Sequence, residues 1–488
     1  MKMLPFFLFR VTFAERFFSM YIEQLYTGCL SEAAYYIESE GTAAVIDPLR
    51  DIDEYLQLAN ERKASIKYIF ETHFHADFVS GHLDLSTATG APIVYGPGTE
   101  TKFPVHVAKD GERFNIGKIS VEVLHTPGHT LESACYLLRD ENGKPHAIFT
   151  GDTLFVGDVG RPDLAQKGDE ITVNDLAGMM YESLNKKIIP LPDDVIVYPA
   201  HGAGSSCGKN MGPETFSTIG EQKQSNYALQ PQTREQFIKS VTDGLEAPPQ
   251  YFPVNAQINK EGYDSLNEIL SRALKPLSVP VFKKMLEEDV LIVDTRRAEE
   301  FTMGFVPGSI FIGLEGRFAE WAGSLLPFDK TILLVTDPGK EKETIIRLAR
   351  VGFSKMEGYL EGGYDAWVKA GEKPDMIVNI EADELAMDLP FDDRMVVIDV
   401  RRETEFADGH VKDAVNLPLN EMTDPASMAN IDDTHNLYVH CAGGYRSVIA
   451  SSLLKRQGLH NLRNVLGGWG SIKEQEKIEQ VKESSVLN

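Results

Sequence analysis

The chain has 488 residues, too many for one hydrophobic core, and typical domain sizes divide it into about three or four units. With 42% hydrophobic and 25% charged residues it has the composition of a folded protein, which excludes extended disorder. Its 73 acidic residues against 48 basic ones give a formal charge of −25, a field that repels nucleic acid and anionic membrane surfaces. Neither is an expected partner, and an anionic substrate must be met by local arginines, lysines or backbone N–H groups.

The opening Met3-Leu-Pro-Phe-Phe-Leu-Phe9 starts like a signal peptide, but Arg10, Glu15 and Arg16 cut the apolar run short and no small-residue cleavage site follows. Residues 1–19 are read as an N-terminal extension, with Met20 opening the folded domain. No run approaches the ~20 apolar residues that span a bilayer. Cys29, Cys135, Cys207 and Cys441 form no CxxC pair, so neither a disulfide framework nor a thiolate zinc cluster is indicated, and a reducing, cytoplasmic setting is expected.

Residues 20–253 read as short β-rich runs separated by polar turns: Ala43–Asp47, Ile66–Phe70, Ile119–Leu124 and Val195–Tyr198. Several end in, or lead into, histidine or aspartate, which puts polar groups on loops leaving strand ends, where a rigid sheet holds them. The first is Thr72-His73-Phe74-His75-Ala76-Asp77-Phe78; Thr126-Pro-Gly-His129, Thr150-Gly-Asp152 and Pro199-Ala-His201 follow. Imidazoles and carboxylates without thiolate suit zinc or ferrous iron. A lone histidine is more often a hydrogen-bonded structural residue, but four such elements together point to a metal.

These four elements resemble the metallo-β-lactamase superfamily, which implies two facing β-sheets with helices outside, an αββα sandwich with a metal along one edge. The superfamily's motif is HxHxDH, and Phe78 stands where the last histidine belongs. Phenylalanine cannot ligate a metal, so a mononuclear site is expected. The segments Gly151–Leu164 and Pro199–Cys207 resemble the persulfide dioxygenase branch. That resemblance implies one Fe(II) held by His73, His129 and Asp152, with zinc as the alternative, and oxidation of a thiol persulfide by dioxygen to sulfite. His75, Asp77 and His201 are then expected to orient the ligands by hydrogen bonds. Arg161, after Gly157 and Gly160, is read either as a clamp on the carboxylate or phosphate of a thiol carrier such as glutathione, coenzyme A or bacillithiol, or as a salt bridge to Asp163. Cys29, Cys135 and Cys207 are read as packing residues.

After Pro248-Pro249 a β/α alternation begins and repeats. Asp294-Thr-Arg296, Glu300-Phe301 and Gly362-Gly363 recur 105 residues later as Asp399-Val-Arg401, Glu405-Phe406 and Gly467-Gly468. Two α/β units are expected, 278–374 and 380–482. In the second, Leu437–His440 delivers Cys441-Ala-Gly-Gly-Tyr-Arg446-Ser447 into a helix, so that backbone N–H groups and the helix N-terminus favour a thiolate. This unit resembles the rhodanese family, implying Cys441 as the nucleophile that carries sulfane sulfur and Arg446 as a loop cation favouring thiosulfate or persulfide. A similar loop, one residue longer, serves tyrosine phosphatases. In the first copy Thr336 and Glu341 take the places of Cys441 and Arg446, so that copy is read as a degenerate rhodanese-like spacer or docking surface.

The whole is expected to be an α/β multidomain enzyme: a persulfide dioxygenase coupled to thiosulfate sulfurtransfer in sulfide detoxification, with sulfite and thiosulfate as partners and homo-oligomer formation left open. The rival is a glyoxalase II-like zinc thioester hydrolase using an activated water. A non-enzymatic sulfur-binding scaffold leaves the metal ligands and Cys441 unexplained.

Overall fold

The computed structural model describes residues 10–12, 20–166, 170–422, 431 and 434–483. Residues 1–9 and 13–19 of the expected extension lie outside the described residues. The chain divides into two compact units, residues 1–268 with 348–353 and residues 269–347 with 354–488.

Two sheets build the first unit. One comprises β1 (Arg10–Thr12), β2 (Tyr21–Thr27), β3 (Glu32–Ser39), β4 (Thr42–Ile46), β5 (Ser65–Phe70), β6 (Ile93–Tyr95) and β7 (His106–Val107), side by side in chain order. The other comprises β8 (Arg113–Ile116), β9 (Ile119–His125), β10 (Ala134–Arg139), β11 (Pro145–Gly151), β12 (Ile196–Pro199) and β13 (Ser217–Thr218), also in sequential order. The two-residue period of a strand sorts their side chains. On β3, Ala33, Tyr35 and Ile37 enter the core between the sheets, where they meet Val121, Tyr136 and Phe149. The alternate Ala34 and Tyr36 face outward onto Tyr55, Leu58 and Ala59 of the helix Asp53–Arg62. On β10, Tyr136 and Leu138 point inward, while Cys135 and Leu137 join Ala177 and Met180 of the helix Val173–Ser183. Both sheets are therefore buried on both faces, which makes the expected αββα sandwich.

Strand pairing also brings the polar loops together. β12 runs parallel to β11 with Gly151 opposite Pro199, so Asp152 and His201 leave the sheet side by side. Ala134 N–H donates to Thr72 O (2.8 Å) and Ala33 N–H to Ala200 O (2.8 Å), tying the loop after β5 and the loop after β12 across the sandwich.

The second unit contains two five-stranded parallel sheets of identical strand order. In the first, Val290–Asp294 lies between Ser309–Phe311 and Thr331–Val335; in the second, Met395–Asp399 lies between Val415–Asn416 and Asn436–His440. The repeated Asp-x-Arg is an internal clamp at the strand end. Arg296 forks onto Asp294 (2.6–3.1 Å), donates to Gly304 O (2.9 Å) and lies over the Tyr364 ring. Arg401 does the same with Asp399, Gly409 O (2.7 Å) and Trp469. Both pairs are buried.

Among the described residues no helix is long and apolar enough to cross a membrane. Removing one member of a buried, doubly bonded ion pair strands the other charge, so Asp294→Ala should lower unfolding stability by about 3–5 kcal/mol. Denaturant titration of the full chain measures this, and Asp294→Ala combined with Arg296→Met should recover part of the loss.

Candidate metal centre and sulfur-transfer loop

The loop leaving β5, the turn after β9 and the loop leaving β11 bring His73, His129 and Asp152 together, with one ligand atom of each within 4.8 Å of the others. His129 Nε2 lies 3.4 Å and His73 Nε2 3.8 Å from Asp152 Oδ2, and all three residues are buried. The chemistry of their neighbours settles both tautomers. His129 Nδ1 faces the carbonyl of Arg161 at 2.9 Å; a carbonyl only accepts, so Nδ1 carries a hydrogen and Nε2 is the nitrogen turned toward Asp152. His73 Nδ1 lies 3.0 Å from Thr72 Oγ1, whose own hydrogen goes to Asp47 Oδ2 (2.9 Å), so this nitrogen also donates. His73 Nε2 and both Asp152 oxygens have no hydrogen-bond partner. Burial, followed by the neighbouring imidazoles of His75, His129 and His201, holds His73 well below the usual histidine range, hence neutral and able to ligate.

His75 plays a different part. Its Nε2 lies 3.1 Å from Asp47 Oδ1 and 3.4 Å from Glu71 Oε2. Burial alone would pull its pKa down, but the two carboxylates outweigh it and push it well up. The Phe78 ring packs on the His75 ring with centroids 4.3 Å apart, filling the place of a sixth motif residue without supplying a ligand. Buried Asn259, 181 positions downstream, donates to both His75 O and Phe78 O at 2.8 Å and pins the loop. Asp47, Glu71 and Asn259 carried no signal in the linear sequence that tied them to this site.

Asp77 and His201 stand on the far side of Asp152. His201 Nε2 is 3.4 Å from Asp152 Oδ1 and 3.5 Å from Asp77 Oδ2, and its Nδ1 faces Ser31 O. Cys207 completes a second buried group with Asp77 and His201. It is buried, as a packing residue would be, but it also borders the site. Burial, then the carboxylates of Asp77 and Asp152, pushes its thiol well above the usual range.

Arg161 is committed within the protein. Nε and Nη2 fork onto Asp163 (2.7 and 2.8 Å), Nη1 donates to Ser206 O (3.2 Å) and Nη2 also reaches Glu246 O (2.5 Å). Of the two readings of this residue, which are compatible, the structure shows the salt bridge: the guanidinium is buried and forked onto Asp163. Its contribution to the centre is the backbone carbonyl that orients His129. Gly160 is obligatory beside it, because a Cβ there would collide with Asp152 O and crowd His129 Nδ1.

In the second unit, Cys441 follows the strand Asn436–His440 and precedes the helix Tyr445–Arg456. Gly444 N–H donates to its Sγ at 3.1 Å, and Trp469 N–H donates to its carbonyl at 2.6 Å. The rhodanese resemblance implies Arg446 as a loop cation favouring thiosulfate or persulfide. The structure pairs it with Glu405, Nη1 to Oε2 at 2.7 Å and Nη2 to Oε1 at 2.8 Å. The hydrogen bond from Arg446 correspondingly holds Glu405 below the usual carboxylate range. The degenerate copy packs on this helix: Tyr445 donates to Gly313 O (2.9 Å) and Phe311 N–H donates to Ser452 Oγ (3.0 Å).

The model of the metallo-beta-lactamase superfamily matches residues 27–201, and that of the rhodanese-like domain matches residues 278–370 and 381–475. A probable hydroxyacylglutathione hydrolase of Schizosaccharomyces pombe, glo2, is 33% identical over 200 residues, covering 40% of this chain and 72% of that protein. The chain belongs to the metallo-beta-lactamase superfamily. Its superfamily domain is followed by two rhodanese-like domains. A second S. pombe protein, also a probable hydroxyacylglutathione hydrolase, is 31% identical over 183 residues, 36% of this chain and 66% of its own length. The solved structure of a metallo-beta-lactamase from Staphylococcus aureus is 32% identical and covers 70% of this chain and 98% of that one, with a TM-score of 0.62. A superfamily member with these buried His/Asp donors is a metal-binding enzyme.

Because Arg161 anchors the loop whose carbonyl orients a candidate ligand, Arg161→Met should weaken metal retention by about tenfold or more in a chelator competition. Unchanged metal retention would contradict this positioning role.

Proposed function

We propose that the chain is a persulfide dioxygenase joined to a sulfurtransferase: it oxidises the terminal sulfur of a low-molecular-weight thiol persulfide to sulfite and moves sulfane sulfur through a persulfide on Cys441. The observation that carries the reading is the buried donor set His73, His129 and Asp152, with His73 Nε2 and both Asp152 oxygens left without partners. Two imidazoles and one carboxylate, with no thiolate among them, fit ferrous iron. One ferrous ion held by these three residues would supply the chemistry by which dioxygen reacts with closed-shell sulfur.

The net change is R–S–SH + O2 + H2O → R–SH + SO3²⁻ + 2 H⁺, in which the terminal sulfur gives up four electrons and dioxygen takes them. The protein's own part is positional. Arg161 O and Thr72 Oγ1 orient the two imidazoles with Nε2 turned toward Asp152, and the buried rings of Phe78 and Phe155 lie against His75 and His201. The buried carboxyl of Asp77, pushed upward by burial, and His201 flank Asp152 on its other side.

A two-metal thioester hydrolase is the second reading. The buried Asp77–His201–Cys207 group favours it, as do the S. pombe relatives named as probable hydroxyacylglutathione hydrolases. Phe78 opposes it, since the residue that completes the usual second site is a hydrocarbon.

Protein reconstituted with ferrous iron should hold one iron per chain and consume one dioxygen per glutathione or coenzyme A persulfide, with sulfite formed in equal amount. Two zinc ions per chain and thioester cleavage without oxygen uptake would contradict the proposal. Separately, Cys441→Ser should abolish sulfur transfer from thiosulfate while oxygen uptake persists; loss of both together would mean that the two activities share one site.

A further inference from the structure

We propose that Asn259 is a positioning residue of the metal centre: its side-chain amide fixes the backbone from His75 to Ser80 and thereby sets where Asp77 stands beside His201 and Asp152. The inference concerns the centre itself and holds whichever metal and reaction it serves. Asn259 lies on the helix Phe252–Glu261 and is fully buried. Its two N–H hydrogens go to His75 O and Phe78 O, each at 2.8 Å, and its Oδ1 accepts from Ser80 N–H at 2.9 Å. Both hydrogens and the carbonyl of the amide are therefore spent on one short stretch of chain. Residues 71–79 lie in neither helix nor strand, so their buried backbone groups depend on partners of this kind.

Asp77 is the reason the clamp matters to the metal. The two carbonyls that Asn259 holds bracket it, and its Oδ2 lies 3.5 Å from His201 Nε2, which is itself 3.4 Å from Asp152 Oδ1. Both Asp77 oxygens are buried without a hydrogen-bond partner, so the carboxylate is placed by its backbone and not by bonds of its own. The same stretch begins beside His73, so a shift of the loop reaches the three-residue group as well as its neighbour. Tyr263, just past the helix, reinforces the hold: its hydroxyl donates to Ser80 O and accepts from Leu83 N–H at 3.2 Å. Both clamping residues lie beyond residue 201, where the match to the superfamily model stops.

Asn255 shows that this face of the helix is not bonded to its surroundings indiscriminately. It lies one turn before Asn259 and is equally buried, yet neither its Nδ2 nor its Oδ1 has a hydrogen-bond partner. The same substitution at the two positions therefore separates loss of the clamp from a general disturbance of the helix.

The test compares Asn259→Leu, Asn259→Ser and Asn255→Leu in the full chain, each loaded with Co(II), whose visible d–d absorption reports donor geometry without turnover. Asn259→Leu keeps the branched shape of the side chain and removes all three bonds. It should hold cobalt about tenfold or more weakly than the parent in a chelator competition and alter the d–d bands, whereas Asn255→Leu should stay within about threefold and keep the parent spectrum. Asn259→Ser, which retains one hydroxyl donor, should fall between the parent and Asn259→Leu. Should Asn259→Leu fail to fold, Asn259→Ser decides the question by the same two readouts. Parent retention and spectrum in a folded Asn259 variant, or equal losses at positions 255 and 259, would overturn the assignment. A parent chain that takes up no cobalt would overturn the metal centre, and the role of Asn259 with it.

Discussion

An imidazole can hold a metal through one nitrogen only when the other nitrogen is given a reason to keep its proton. In the first unit that reason is supplied by oxygens that can only accept: the Arg161 carbonyl for His129, the Ser31 carbonyl for His201, and for His73 a Thr72 hydroxyl whose own hydrogen is spent on Asp47. Everything around the centre serves to keep those oxygens in place. The guanidinium of Arg161 is tied down on three sides so that its carbonyl cannot drift. Gly160 lets that carbonyl approach, and the pairing of β11 with β12 delivers Asp152 and His201 from neighbouring strand ends. The sandwich is a frame for fixing protons on rings.

The second unit treats charge in a comparable way. Each rhodanese-like domain ends the strand beside its edge strand in a buried Asp–Arg pair, so the frame of the two copies is the same. What distinguishes the copy that carries Cys441 is concentrated in a few side chains of the loop and the first turn of the helix. The degenerate copy still contributes, since its edge strand and the Gly313 carbonyl pack against the helix that opens from the Cys441 loop.

Much of this was legible in the sequence because strand periodicity and strand-end polar residues are local signals. The apolar runs Ala43–Asp47, Ile66–Phe70, Ile119–Leu124 and Val195–Tyr198 do fall on strands, and His73, His129 and Asp152 converge. The repeat offset also holds: Val290–Asp294 and Thr331–Val335 recur 105 residues on as Met395–Asp399 and Asn436–His440. What escaped was partner choice, which depends on distance in space. The sequence shows Arg446 and Glu405 as features of two motifs without showing that they pair. Asp47 sits at the end of a strand that the pattern reveals, yet its left-handed backbone (φ 51°) and its approach to His75 come from tertiary packing. Asn259 lies beyond the segment that resembles the superfamily and reaches back to pin the histidine loop. Cys207 looked like a packing residue because burial and proximity to a metal site leave the same trace in a linear chain.

The account depends most on a single ion at a three-residue site with the neighbouring group empty. Anomalous diffraction from crystals of the iron-loaded protein, recorded on either side of the iron absorption edge, tests this directly. The account predicts one peak per chain, within bonding distance of His73 Nε2, His129 Nε2 and an Asp152 oxygen. A second peak among Asp77, His201 and Cys207, or a single peak that excludes His73, would contradict it.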